Sequence, residues 1–212
     1  MHRLVARLAR LAFLFALFLS AAPAAHAGPA SDVIAKLNTV FIEVMQNGQS
    51  LGYEGRYKKL EPALSDAYDF PEMTRVSLGR HWRELTDEQK QQVTAAFKDL
   101  SLATYAARFN NFSGQRFEIL GEEPAPGGSV RVNNQIVPSD GTPIRIDYLV
   151  KQKDGQWRVT DVYLKSSVSE LAVRRADFTD TLAKSGVDGL LADLKAKVDK
   201  LRSGEASTST SN

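Results

Sequence analysis

The stretch DFPEMTRVSLGRHWRELTDEQKQQVTAAFKDLSLATYAARFNNFSG, residues 69–114, decides the fold. Thr86 followed three positions later by Gln89 has the spacing of a capping box, and Asp87 and Glu88 sit where a helix dipole favours acids. A long helix is therefore expected from Thr86 to Asn111. At about 100° per residue, Val93, Ala96, Phe97, Leu100, Ala103, Thr104 and Ala107 fall on one face, while Leu102, Tyr105, Phe109 and Phe112 fall on nearly the opposite one. A surface helix needs one apolar stripe. After Phe97 this one is apolar on both sides, so it has to be covered twice, by helices on one side and by a sheet or a ligand on the other.

Upstream, Ser31-Asp32 offers an N-cap to an amphipathic helix carrying Val33, Ile34, Leu37, Val40, Phe41, Val44 and Met45, which ends near Asn47-Gly48. Gly52 to Gly55 breaks the chain before a shorter helix marked by Tyr57, Leu60 and Leu64. Asp69-Phe70-Pro71 opens a third helix, with Pro suited to the first turn, and Gly79 stops it.

Downstream of Gln115 the apolar period falls from about four to two. Residues 116–120, 130–132, 144–150 and 157–164 alternate as strands, separated by Gly127-Gly128, Ser139-Asp140-Gly141 and Asp154-Gly155. Short turn-rich connections predict a four-stranded antiparallel meander. Val132, Ile146, Tyr148 and Val159 lie on its apolar face; Arg131, Arg145, Asp147 and Arg158 belong to the other. Two helices follow, one from about Val168 and one from about Asp188, with Gly186 as the C-terminal cap between them. The fold class is α+β, a curved four-stranded antiparallel sheet with helices covering one face in a cone-like arrangement.

The opening of the chain bears on its compartment. Arg3, Arg7 and Arg10, the apolar run Leu11 to Leu19 and Ala25-His26-Ala27 read as a secretory signal peptide, residues 1–27, cut after Ala27. Residues 28–202 form the expected domain and 203–212 a polar, disordered tail. Cleavage removes three of the 27 basic residues and none of the 25 acids, so the net charge passes from +2 to −1. The basic balance belongs to the leader, and nucleic acid is not indicated as a partner.

The chain has no cysteine, and after cleavage His81 is the sole histidine, so a transition-metal site would need carboxylates almost alone. His81-Trp82 reads as a packing pair between helices. No Gly-x-Ser-x-Gly elbow, phosphate loop or dinucleotide fingerprint occurs, and no cofactor is expected. Asp161 is the one candidate acid or base. Strand parity puts it on the face of Trp157 and Val159, where an apolar surrounding would raise its pKa for proton transfer. The bland alternative is a turn cap or an ion pair. Lys58-Lys59 and Arg174-Arg175, interspersed with acids, read as a solvated face; the alternative is that some of them rim a cavity and meet an anionic headgroup.

Three segments resemble the MlaC family, also called the toluene-tolerance or Ttg2-type auxiliary components of ABC transporters. They are Phe70-x-x-Met73 with Leu78-Gly79-x-x-Trp82-x-x-Leu85-Thr86-x-x-Gln89, then Phe97-x-x-Leu100-x-x-x-x-Tyr105, then Trp157-x-Val159-x-Asp161-Val162. The closing FTDTLAKSGVDGLLADL, residues 178–194, is similar to that family's C-terminal pattern. After Asp161-Val162 the family's usual Glu-Gly-[Val/Ile]-Ser run is replaced by Tyr163-Leu164-Lys165-Ser166-Ser167-Val168-Ser169-Glu170, which looks more like the HpnM branch associated with hopanoid biosynthesis.

The resemblance implies a periplasmic carrier, expected as a monomer, that shuttles phospholipid or hopanoid between an outer-membrane lipoprotein complex and an inner-membrane ABC transporter. At about 0.8 kcal/mol per methylene, two chains of about sixteen carbons lose on the order of 20 kcal/mol or more on entering water, so transfer needs a protein that buries them. On that reading Phe41, Val44, Met45, Leu60, Phe97, Leu100, Tyr105, Ile119, Val132, Ile146, Tyr148 and Val159 line a lipid cavity between sheet and helices. Without the resemblance the same residues are a filled core, or the frame of a small-molecule enzyme using Asp161.

Overall fold

A computed structural model of the protein describes residues 28–204. The expected signal peptide and residues 205–212 of the expected tail lie outside them. Helix α1 (Pro29–Gln46) starts earlier than the Ser31-Asp32 cap predicts, with Gly28 at its N-cap and no side-chain cap of its own. The cap comes from the sheet instead. Glu122 Oε1 accepts from the backbone N–H of Gly28 at 3.0 Å and of Ser31 at 2.6 Å, a carboxylate at a helix N-terminus.

Helix α2 (Gly48–Ala67) is broken at Gly52 alone, where φ is 59°, and Gly55 continues the helix. Helix α3 (Phe70–Leu78) is capped by Asp69, which accepts from Glu72 N at 3.0 Å, and ends at Gly79. Gly79 has φ +56°, a backbone shape that favours glycine, and a Cβ there would displace the end of the Arg175 side chain, which lies 2.6 Å away. A 3-10 turn (Gly79–Glu84) carries His81 and Trp82 to the start of helix α4 (Asp87–Arg108). Both halves of its capping box are made, Gln89 N to Thr86 Oγ1 at 3.1 Å and Thr86 N to Gln89 Oε1 at 2.9 Å.

Helix α4 stops at Arg108 rather than Asn111, leaving Phe112 off the helix. A residue distant in sequence binds that end. Buried Arg56 donates Nε to Ala106 O at 2.7 Å and Nη1 to Gly48 O at 2.6 Å, so one guanidinium satisfies a last-turn carbonyl of α4 and ties it to the start of α2. Helix α5 (Glu170–Ser203) is interrupted at Gly186, with φ 63°, which divides it into the two helices that the sequence predicts.

The sheet runs β1 (Arg116–Ala125), β2 (Ser129–Val137), β3 (Ile144–Lys153), β4 (Gln156–Leu164) and β5 (Val168–Ser169), paired antiparallel in chain order. The meander is as expected with one short strand added. Val168 and Ser169, predicted to begin a helix, pair with Leu164 and Tyr163. The turn between β4 and β5 gives Lys165 φ 51° and Ser166 φ 63°, a left-handed pair that asparagine and glycine adopt more cheaply.

Helices cover one face of the sheet, as expected. Helix α1 lies across β1 to β4, while α4 packs on α2, α3 and α5 as a second layer. The second apolar side of α4 meets the ring of Phe41 on α1 and, at its C-terminal end, strand residue Phe117. Phe41 of α1 stacks on Tyr105 at 5.0 Å and tilts against Phe109 at 4.8 Å, and Phe109 meets Phe117 of β1 at 6.4 Å.

A bulge in β4 corrects the parity argument for Asp161. Leu149 pairs with Asp161 and Val150 with Val159, so Thr160 is an extra residue. Val159 faces the helices above it and Val162 and Leu164 below it, which turns Asp161 to the side opposite Val159. Asp161 is 7% exposed and fully engaged. Its Oδ1 accepts from Val162 N at 2.7 Å and Leu171 N at 3.3 Å, and its Oδ2 accepts from the Ser169 hydroxyl at 2.6 Å. Ser169 in turn caps α5 by accepting from Ala172 N at 3.0 Å.

On the opposite sheet face Asp147, expected among surface polar residues, is 1% exposed because it accepts from Asn134 N at 3.0 Å and pairs with Arg145 at 2.9 Å. Asp161→Ala leaves buried donors of β4 and α5 unpaired, and urea unfolding should show a loss of about 3 kcal/mol. Ser166→Gly should raise stability by about 1 kcal/mol in the same assay, because only the left-handed strain is relieved.

Candidate functional site

A partly open cavity of about 150 Å³ lies between α4, the first half of α5 and the far ends of β3 and β4. Phe97, Ser101, Thr104, Tyr105, Arg108 and Phe109 form the α4 wall, spaced at three and four as one helix face requires. Ile146 and Tyr148 come from β3, and Val162 and Leu164 from β4. Tyr68 and Met73 close the inner end, and Glu170, Leu171 and Arg174 of α5 complete the ring. The lining is mainly apolar, with charge confined to Arg108, Glu170 and Arg174.

Tyr68 is held there by backbone. It makes an isolated bridge to Val159, and Asp69 N donates to Val159 O at 2.9 Å, so the link between α2 and α3 is fastened to β4. Inside the cavity the Tyr68 and Tyr105 hydroxyls meet at 2.6 Å. Burial is the main cause that pushes Tyr68, Tyr105 and Tyr148 above the usual phenol pKa, with the Tyr68 hydrogen bond opposing it at Tyr105. These hydroxyls are therefore neutral donors and acceptors. Burial likewise raises Asp161, against the pull of the Ser169, Val162 and Leu171 hydrogen bonds. Those bonds occupy both its oxygens, and it is not part of the cavity lining.

Of the twelve residues proposed from sequence as lining, Phe97, Tyr105, Ile146 and Tyr148 reach the cavity. Phe41, Val44, Leu60, Leu100, Val132 and Val159 are buried in the continuous core, with Phe41 directly behind Tyr105. Met45 is buried on α1, and Ile119 borders an open groove between α1 and β1. Val162 and Leu164 were hidden by the bulge, which no local pattern announces. Arg174 carries a visible signal, the Arg174-Arg175 pair, but only the packing of α5 tells which of the two faces inward. Among the described residues no helix is long and apolar enough to cross a membrane, and no group of three or more His, Cys, Asp or Glu could hold a metal.

Helices layered on one face of a sequential antiparallel sheet, with a small apolar chamber between them, define an α+β ligand-cavity domain. The profile of the family described as MlaC protein matches residues 35–196, and the chain belongs to that family. A solved structure is similar over the whole domain. It is a phospholipid-binding protein from Ralstonia solanacearum in complex with a phospholipid, 23% identical, with TM-score 0.72, covering 82% of this chain and 99% of that one. That likeness establishes the fold. No curated protein matches the chain in sequence.

The tyrosines give a test of the cavity. Their folded pKa values lie above 10.0, so the folded state keeps protons that the unfolded chain loses. Stability present below pH 10 is thus lost as pH rises past it. Phenolate absorbance should appear together with unfolding for Tyr68, Tyr105 and Tyr148; ionisation of all of them near pH 10 in folded protein would contradict their burial.

Proposed function

We propose that the protein is a periplasmic lipid carrier, the soluble component of an ABC transport system that passes phospholipid or a hopanoid between the outer and inner membranes. The observation that carries the reading is the apolar chamber between α4, α5 and the sheet in a chain of the MlaC family. A phospholipid-bound protein of the same fold supports it. The chemistry is binding alone, with acyl chains taken between helices and sheet and the headgroup left at the charged rim.

At about 150 Å³ the chamber is smaller than the roughly 300 Å³ at which small-molecule pockets begin, so a lipid chain enters by parting the walls. The first half of α5 is the wall suited to move. It is bounded by the Ser169 cap at one end and by the Gly186 break at the other, so it can shift as a unit.

Native mass spectrometry of protein purified from periplasm should show one bound lipid, and lipid-free protein should take lipid up from vesicles. A protein that is empty throughout and takes up nothing contradicts the carrier. Ile146→Trp places a bulky ring in the chamber and should reduce uptake about tenfold or more with the circular dichroism spectrum unchanged; full uptake would move the cargo site elsewhere.

A further inference from the structure

Among the described residues, most arginines have a partner. Arg75 meets Glu72, Arg145 meets Asp147, Arg202 meets Glu54, and Arg56 is held by backbone carbonyls. Arg108 and Arg174 differ. Both line the cavity rim, and among the described residues neither makes an ion pair within 4.0 Å or a side-chain hydrogen bond. Arg80, Arg83 and Arg175 also lack an ion pair or side-chain hydrogen bond among the described residues, but they border a separate groove beside Trp82 rather than this cavity.

Arg174 is half-buried, with its guanidinium carbon 5.2 Å over the buried ring of Phe97. The ring covers the face of the guanidinium and leaves its N–H edge free to donate. Burial, more than any other cause, pushes its pKa down, and the like charge of Arg108 adds to that while Glu170 opposes it. A cation held there without an anion is costly, and an anionic group at the rim would relieve the cost. Arg108 alone has an ordinary explanation, since a cation in the last turn of α4 complements the helix dipole. That does not account for a second unpaired guanidinium brought to the same rim by another helix. Glu170 stands on the rim too, so it carries two cations and one carboxylate.

We propose that Arg108 and Arg174 together bind the phosphoryl group of the cargo's headgroup, so that this carrier takes phosphate-bearing lipids in preference to lipids with neutral polyol heads. The proposal rests on the carrier reading and narrows its cargo. Guanidinium suits the task because its planar fork donates two hydrogen bonds to a phosphate, which a hydroxylated headgroup cannot match in charge.

The test offers lipid-free protein vesicles holding equal amounts of dioleoylphosphatidylglycerol and dioleoylglycerol, which share their chains and differ at the head, and reads the bound ratio by native mass spectrometry. Wild type should favour the phospholipid by about tenfold or more, and Arg108→Gln/Arg174→Gln should bring the ratio close to one while still binding dioleoylglycerol. A wild-type ratio near one, or a ratio unchanged in the double variant, overturns the phosphoryl site and leaves the carrier standing; a wild type that takes neither lipid overturns the carrier itself. Should the double variant fail to fold, Arg108→Gln alone, at an exposed position, is expected to lower the ratio severalfold, and an unchanged ratio counts against the site. Inorganic phosphate added to lipid-free protein separates a headgroup site from one for free phosphate. No saturable binding at millimolar phosphate is expected, and displacement of phosphatidylglycerol by phosphate would overturn the assignment.

Discussion

One carboxylate holds the cavity wall to the sheet. Asp161 gathers two backbone N–H groups and the Ser169 hydroxyl at the point where β4 bulges, β5 turns back and α5 begins. In a largely buried setting such a group is stable only when its acceptor capacity is filled, and here the filling donors come from separate elements. The position of α5 is consequently set at its first turn. Everything that α5 contributes to the chamber, from Glu170 to Arg174, inherits its register from that node.

The bulge has a second effect, on which side chains meet the chamber. Without the extra residue at Thr160, alternation would continue from Val159 through Asp161 and Tyr163, turning a charge and a phenol toward the helices. With it, Val162 and Leu164 take those places, opposite Tyr148 and Ile146 of β3. One inserted residue thus makes the end of the sheet dry on the helix side and polar on the other.

Several helix boundaries were legible from local signals. The Thr86–Gln89 box, Asp69 before Pro71, and the glycines at 52, 79 and 186 each mark a terminus or a break that the structure contains. Contacts made to helix ends by distant residues were not. Glu122 caps α1 from 91 positions away and Arg56 binds the last turn of α4 from 50 away, and neither contact can be read from the helix that receives it. The site follows the same division. Phe97, Tyr105, Ile146 and Tyr148 could be chosen by periodicity because their elements are regular around them. Val162 and Leu164 depend on a bulge, Tyr68 on a bridge between helix linker and strand, and Arg174 on how α5 rotates against α4.

The hydroxyl contact between Tyr68 and Tyr105 bears on how such a chamber can fill and empty. Two polar groups facing hydrocarbon would ordinarily ask the guest for hydrogen bonds and penalise a guest that had none. Here one hydroxyl donates to the other, so an aliphatic chain can enter and leave without breaking that bond. That pairing lowers the polar demand which the chamber makes on an apolar guest, and so the resistance to its departure.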